Sequence, residues 1–425
     1  MTPPAPTRRQ ALAAAAGFGL SLQFLARQAF AATEGGFARR KLIVVICRGG
    51  MDGLSVSPPV GDPDYAGLRG SIALGSEALK LDGTFALHPA LPGIHALALA
   101  GQARIAPAAA TPDRARSHFE AQDVLESGAT AAYGASSGWL NRAVASLSAQ
   151  RKVQALSVGP TAPLILRGKA PAGSWSPGKV VDGSARLPTL LQDLYKDDPL
   201  LGPALAQGLA TEAMAQAAMS NLPVAPDPAP AADSQMAMAA PGGPAAPAAA
   251  YLRQGQAAAR KLGATLAGFM VEAGGPQVAA LSLDGFDTHA NQGAAQGALA
   301  VRLAYLDAVL DGIHTGLGPA WSDTVVLVAT EFGRTARVNG TGGTDHGTAS
   351  TALVLGGALK RGGVVGDWPT LRRQALFEDR DVAPALDMRG LFKGVLAEHM
   401  GVGRAALDTA VFPGSADVRP AAGLV

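Results

Sequence analysis

The chain has 425 residues, of which 48% are hydrophobic and only 16% are charged. That length suffices to bury an ample core, in one large α/β domain or in two ordinary ones. The formal net charge is +2. Residues 1–31 contribute Arg8, Arg9 and Arg27 but no acid, so 32 basic and 33 acidic residues remain without them. Since a near-neutral protein has no electrostatic footprint for nucleic acid, we expect no nucleic-acid partner.

The N-terminal segment has the pattern of an export signal. Arg8 and Arg9 precede a mildly apolar run over 11–25, and residues 29–31 (AFA) supply a small-x-small cleavage pattern. The paired arginines predict a twin-arginine signal peptide over residues 1–31, with an ordinary secretory signal as the alternative. The twin-arginine export machinery is then a partner, and residues 32–425 are periplasmic or secreted. The run is too short and too weakly hydrophobic for a stable membrane span after cleavage.

Cys47 is the only cysteine of the chain. The protein therefore cannot form an intramolecular disulfide, and thiolate clusters for iron–sulfur or structural zinc are excluded. No Gly-rich phosphate loop of the G-x-x-x-x-G-K-[ST] type is present either.

Short apolar runs alternate with longer segments of helical spacing. The runs predict buried strands at 41–47, 104–107, 153–158, 277–283, 324–329 and 352–355. Apolar residues recur at helical spacing over 139–149, 251–272 and 294–317. This alternation predicts an α/β fold with a mostly parallel central sheet and helices on both faces.

Residues 222–250 consist almost entirely of Pro, Ala, Gly and Met. They lack the aromatic and branched residues that a core needs, which predicts a disordered insertion. The insertion separates residues 41–221 from 251–415. Two domains are one reading, but the second half has only three clear strands. We therefore favour one sheet built from both halves.

Polar and acidic residues follow four of the predicted strands, where ligands bind in open parallel sheets. The segments are 48–53 (RGGMDG), 113–123, 284–289 (DGFDTH) and 330–347, which ends in Thr344-Asp345-His346-Gly347. Carboxylates and imidazoles together are typical ligands of a divalent metal ion, and Arg334 or Arg116 could hold an anion in a bidentate fork. Each motif alone also has a structural reading: Asp52-Gly53 as a turn, Asp287 as a helix cap, and residues 345–347 as a loop.

The motifs ICRGGMDGLS, LHPAL, RSHFEAQD, GFDTH, TEFGRT and TDHG, in this order over residues 41 to roughly 400, resemble a bacterial twin-arginine-exported family. That family is a domain of unknown function within the alkaline phosphatase/sulfatase superfamily. The resemblance implies an alkaline-phosphatase-like three-layer α/β/α sandwich. In active relatives it also implies two divalent metals and a hydroxyl nucleophile at a helix N-terminus.

Carried onto this chain, the resemblance implies that Ser117 is the nucleophile, with a helix N-cap serine as the alternative, and that Arg334 steadies the transferring group. The implied metal ligands are Asp52, Asp287, His289, Glu331, Asp345 and His346. Two departures from the superfamily pattern stand out. Asp287 and His289 form Asp-x-His where the usual spacing is Asp-x-x-x-His, and Phe332 follows Glu331 where an Asp-His pair is usual.

The sequence thus predicts an exported metal-dependent hydrolase of phosphate esters or related anionic esters. One or two zinc ions are expected, with magnesium, manganese or calcium as alternatives, and the substrate is a small anionic molecule. Ser117 or a water activated at the metal attacks in line. The alternative is a non-catalytic periplasmic or envelope binding protein with a degenerate site on the same fold.

Two other hydrolase mechanisms fit the sequence poorly. A formylglycine sulfatase needs a C/S-x-P-x-R frame, and neither Cys47 nor any serine provides one. Residues 134–138 (GASSG) match the G-x-S-x-G motif of serine esterases, but no buried strand precedes them as that motif requires.

Overall fold

The computed structural model describes residues 36–149, 153–159, 163–176, 206 and 245–425. Residues 41–425 form one compact unit. Residues 1–40 form another, of which only 36–40 are described, with a helical turn over 36–39. The predicted signal peptide and most of the predicted insertion, residues 222–244, lie outside the described residues. In the described part of the chain, no helix is long and apolar enough to cross a membrane.

Nine of the described strands form a single sheet, and two further strands, at residues 79–80 and 86–87, form a separate antiparallel ribbon. The strands are β1 Lys41–Cys47, β2 Leu79–Lys80, β3 Ala86–Leu87, β4 Ala103–Ala110, β5 Ala155–Val158, β6 Ala172–Trp175, β7 Val278–Leu283, β8 Thr324–Ala329, β9 Ser350–Leu355, β10 Gly363–Val364 and β11 Leu386–Asp387.

The described helices are α1 Gly53–Val56, α2 Tyr65–Arg69, α3 Pro92–Leu99, α4 His118–Ser127, α5 Trp139–Ser148, α6 Ala245–Val271, α7 Ala298–Leu317, α8 Met388–Glu398 and α9 Arg404–Ala406. Helix α6 was predicted to start at Tyr251 but begins six residues earlier. The last six positions of the predicted disordered insertion are therefore helical, since an alanine-rich segment extends a neighbouring helix at little cost. Helix α7 begins four residues later than predicted, just after Gly297.

The order across the sheet is β10-β4-β9-β8-β1-β7-β5-β6, and β11 also pairs with β4. Every pair is parallel except those that β9 makes with β4 and β8. The prediction of an α/β fold with a large, mostly parallel sheet is thus confirmed. Strands on both sides of residues 222–250 belong to this one sheet.

The core lies on the faces of the central strands. All seven residues of β1 are buried, because β1 is hydrogen-bonded between β7 and β8 and covered on both faces. Leu266 and Phe269 of α6 and Leu303 and Leu310 of α7 pack into the same cluster as Ile43 of β1. Because β1, β4, β7 and β8 all run in the same direction, their carboxyl ends lie on one rim of the sheet.

The start of α3 depends on a carboxylate from another helix. The residue before α3, Leu91, has no side chain that could cap the helix, and Pro92 occupies the first position. Asp307 of α7 instead accepts hydrogen bonds from Gly93 N (3.0 Å) and Ile94 N (2.9 Å). A buried carboxylate at a helix N-terminus satisfies free N–H groups and interacts favourably with the helix dipole.

We expect Asp307→Ala to lower the free energy of unfolding by about 1–2 kcal/mol, because two N–H groups of α3 lose their acceptor. Asp307→Asn keeps one acceptor oxygen and should cost less. Chemical denaturation measures both. Asp311→Ala on the same helix is the control, since its ion pair with Arg260 is exposed and contributes about 0–1 kcal/mol. Equal losses for Asp307→Ala and Asp311→Ala would contradict the capping role.

Candidate metal centre

The loop after β1 forms the floor of the site. Gly49 and Gly50 have φ values of +113° and +63°, where residues with a Cβ are strained. A Cβ at Gly50 would lie 2.4 Å from Cε2 of Phe332, and one at Gly49 would lie 2.6 Å from the backbone N of Asp287. Only glycine lets the segments after β1, β7 and β8 approach this closely.

Glu331, two residues after the end of β8, is a fully buried carboxylate that orients its neighbours. Its Oε1 accepts hydrogen bonds from Gly49 N (2.8 Å), His118 Nδ1 (2.8 Å) and Gln122 Nε2 (3.2 Å). Its Oε2 accepts one from the Thr330 hydroxyl (2.9 Å). Both oxygens are therefore occupied, and Glu331 positions His118 rather than pointing an oxygen into the site.

Two further histidines, His289 and His346, form a cluster with His118, and each ring is also oriented through its Nδ1. His346 Nδ1 donates to the backbone carbonyl of Arg116 (3.0 Å), and His289 Nδ1 lies 3.4 Å from Oδ1 of Asp345. Asn339 donates to the same Asp345 oxygen (3.1 Å) and to the carbonyl of His289 (2.9 Å). Because each Nδ1 faces an acceptor, we assign the proton of the neutral ring to Nδ1 in all three histidines, which leaves a lone pair on each Nε2 in that form.

The three Nε2 atoms converge on the carboxylate of Asp287. The Nε2 atoms of His289 and His346 lie 3.0 Å and 3.3 Å from Asp287 Oδ1, and that of His118 lies 3.4 Å from Oδ2. Nε2 of His118 is nevertheless buried without a hydrogen-bond partner in the described structure. The Nε2 atoms of His289 and His346 are 2.9 Å apart, and two lone pairs facing at this distance repel unless a proton or a cation lies between them.

This donor set fits a divalent ion. One ligand atom each from His118, Asp287 and His346 lies within 4.8 Å of the others, and His289 extends the set to three imidazoles and one carboxylate. Ligating histidines usually donate their other N–H to a carboxylate or a carbonyl, which is the arrangement that Glu331 and Asp345 provide.

The ionisable groups of the cluster have shifted pKa values. The hydrogen bond to Glu331 raises the pKa of His118, although burial opposes it. Burial lowers the pKa of His346, so its ring favours the neutral form. Burial tends to raise the pKa of Asp287, but the hydrogen bond and charge of Arg334, together with His289 and His118, outweigh it and bring this pKa below its usual value. Asp287 therefore remains an anion facing Nε2 atoms.

Arg334 lies beneath the cluster and has no exposed side-chain surface. Nε donates to the carbonyl of Gly50 (2.7 Å), and Nη1 donates to the carbonyl of Thr344 (3.1 Å). Nη2 donates to the carbonyls of Gly49 and Phe286 and to the carboxylate of Asp287. The guanidinium of Arg334, which was predicted to bind an anion, therefore binds the protein's own loops and offers no exposed N–H group to a substrate.

Asp52 and Arg116 are also already paired. Asp52 caps α1 through Leu54 N (3.2 Å), and its other oxygen pairs with buried Arg69. It also accepts hydrogen bonds from Ser55 (2.9 Å) and Gln292 (2.6 Å), so the structure does not bring Asp52 into the cluster. The guanidinium of Arg116 is paired with acidic residues, Glu378 and Asp381.

Ser117 occupies the N-cap position of α4, directly before His118, with extended backbone angles. Its side chain makes no capping hydrogen bond, which separates it from an ordinary N-cap serine. The hydroxyl is therefore uncommitted within the described structure.

Of the eight predicted site residues, the structure places Asp287, His289 and His346 in the cluster, while Glu331 and Asp345 orient its rings. The sequence analysis includes His118 only as part of the polar segment 113–123 and assigns it no role. The signal was its position at the first turn of a helix that follows a strand, beside the predicted nucleophile. That position alone does not show that Glu331, 213 residues later, orients the ring.

Fold and site together define an α/β protein with a cluster of three histidines and one aspartate at the strand ends. Residues 39–411 match the family described as "Protein of unknown function (DUF1501)", and the chain belongs to it. No curated protein matches the chain. It is similar to a solved structure described as "Crystal structure of Ps i-CgsB", with 11% identity and a TM-score of 0.36 over 90% of this chain and 77% of the other. Nothing about this chain follows from so low a similarity.

We expect Arg334→Met to lower the free energy of unfolding by about 3–5 kcal/mol, because Asp287 and several buried carbonyls lose their donor together. Urea denaturation measures the loss. The exposed neighbour Arg337→Met is the matched control and should stay within about 0.5 kcal/mol of the unaltered protein. A small effect of Arg334→Met would show that the loops hold their positions without the guanidinium.

Proposed function

We propose that the protein is an exported metal-dependent hydrolase of phosphate esters or related anionic esters, built on the alkaline phosphatase/sulfatase superfamily fold. The observation that carries the proposal is the convergence of three Nε2 atoms on one carboxylate, each ring oriented through its Nδ1. The arginine pair and cleavage pattern of residues 1–31 support twin-arginine export to the periplasm or the medium.

In this proposal, His118, Asp287, His289 and His346 hold the ion. Zinc is favoured, because an imidazole-rich set suits it, whereas magnesium and calcium prefer oxygen ligands. A divalent ion supplies Lewis acidity, which polarises an ester oxygen and neutralises charge in the transition state. Pairing of Asp52 with Arg69 argues for a single ion, since both oxygens of that carboxylate already accept hydrogen bonds within the protein.

Ser117 is the proposed nucleophile. Its hydroxyl is uncommitted at the start of α4, and the first N–H groups of a helix favour an anion nearby. His118, a proposed ligand of the ion, is the next residue in the chain, so the proposed nucleophile and a ligand belong to the same helix start. Arg334 supports this arrangement indirectly by fixing Asp287 and the loops after β1 and β7.

A non-catalytic binding protein on the same fold is the second candidate. The observation in its favour is that the two arginines expected to grip a substrate, Arg334 and Arg116, are already paired with acidic residues. Such a protein would bind zinc and an anion without turning the anion over.

We expect the purified protein to bind about one zinc ion and to melt at a lower temperature after chelation, because a ligand bound to the folded state stabilises it. His346→Ala should abolish stoichiometric zinc. Glu331→Gln should weaken zinc binding about 10- to 100-fold, because His118 loses the anion that orients it. Metal analysis and competition with a chromophoric chelator measure both. His95→Ala is the control, since that ring bonds only the Lys80 carbonyl among described contacts. Zinc-free protein that melts unchanged would overturn the metal site.

We expect Ser117→Ala to keep its zinc but to lose phosphate release from aryl phosphates by at least on the order of a hundredfold, because the nucleophilic oxygen is gone. Inorganic phosphate is measured with the zinc-loaded enzyme. Ser136→Ala, at the centre of the GASSG segment, is the control and should retain activity. If the protein hydrolyses no ester with zinc or with any other divalent ion, the result would instead favour the non-catalytic binding protein.

A further inference from the structure

Two aromatic side chains in the described part of the chain are strongly exposed. Phe119 is 82% exposed and Tyr133 is 73% exposed, whereas the other exposed large apolar residues are aliphatic: Leu99, Val271 and Val301. A single exposed apolar side chain is ordinary, but exposed apolar side chains grouped on one part of a surface mark a binding surface.

Both aromatics are tied to the exposed side of α4. Phe119 follows His118 directly, so the Cα atoms of these two residues are about 3.8 Å apart. Asp123 lies one helical turn after Phe119 on the same face, and its Oδ1 accepts a hydrogen bond from Tyr133 N (2.6 Å). Tyr133 has a φ of +59°, which is unfavourable for a bulky residue, and the bond to Asp123 holds it there.

The helix presents different faces to the site and to solvent. His118, Gln122 and Glu126 recur every four residues and contact Glu331 or Arg48 at the strand ends. Phe119 lies about 100° further round the helix, beside this stripe. Phe119 is in the first turn of α4, two residues after Ser117, so an ester whose phosphorus is held at Ser117 can extend its organic group toward that ring.

We propose that Phe119 and Tyr133 bind a planar aromatic ring in the alcohol portion of the substrate, so that aromatic esters are the preferred substrate class. This inference rests on the proposed function. Aromatic faces favour stacking on another flat ring. Glu120 and Asp123, on the same turn of α4, disfavour an anionic lipid surface as the occupant, because like charges repel.

The test compares two non-hydrolysable probes, propylphosphonate and 3-phenylpropylphosphonate, which carry the same anion and differ in a remote ring. Calorimetry with the zinc-loaded full chain should show about tenfold tighter binding of the phenyl compound. Phe119→Ala and Tyr133→Ala should each bring the two affinities within about twofold of one another. Leu99→Ala removes an equally exposed side chain from α3 and should keep the tenfold difference.

Equal affinities of the two phosphonates for the unaltered protein would overturn the inference and leave the proposed function standing. Failure of both to bind zinc-loaded protein would instead count against the proposed function, and the inference would fall with it. Light scattering gives a third outcome. If Phe119→Ala dissociates an oligomer while the ring preference persists, the aromatic pair belongs to an interface and the inference is wrong.

Discussion

The candidate site depends on one buried guanidinium. Arg334 lies between the loops that follow β1, β7 and β8 and donates hydrogen bonds to carbonyls of all three segments as well as to Asp287. Buried carbonyls without a donor are costly, so these loops keep their conformations only while the guanidinium is present. The same contact keeps Asp287 ionised and aimed at the histidines. An arginine predicted to bind substrate is thus what makes the cluster possible.

The direction of β9 decides which residues reach the rim. Because β9 runs antiparallel to β8, the chain leaves the sheet after Ala329, crosses the rim over residues 330–349 and re-enters at Ser350. That single crossing brings both Glu331, which contacts His118, and His346, which contacts Asp287, to the site. If β9 ran parallel to β8, residues 330–349 would have to cross back to the opposite edge of the sheet. That segment could then not place both Glu331 and His346 at the rim.

The strands and their polar ends were predictable because both leave local signals. Continuous apolar runs marked β1, β7 and β8, and the residues just after them included Asp287, His289 and His346. The roles of Asp52, Arg334 and Glu331 were not predictable, because a carboxylate or a guanidinium looks the same in the sequence whether or not its hydrogen bonds are already used. Several of their partners also lie far away in the chain, such as Gly49, which is 282 residues from Glu331.

The sequence by itself determined the α/β class, the central apolar strands and the rim where polar residues gather, since these follow from hydrophobic patterning and the geometry of parallel strands. Only the tertiary structure decided which of the gathered groups face one another. It pairs Asp52 with Arg69 and places Glu331 within hydrogen-bonding distance of the Nδ1 of His118. It also directs three Nε2 atoms at Asp287. The physical reason is that a hydrogen bond depends on distances of about 3 Å, and only the packed chain sets these.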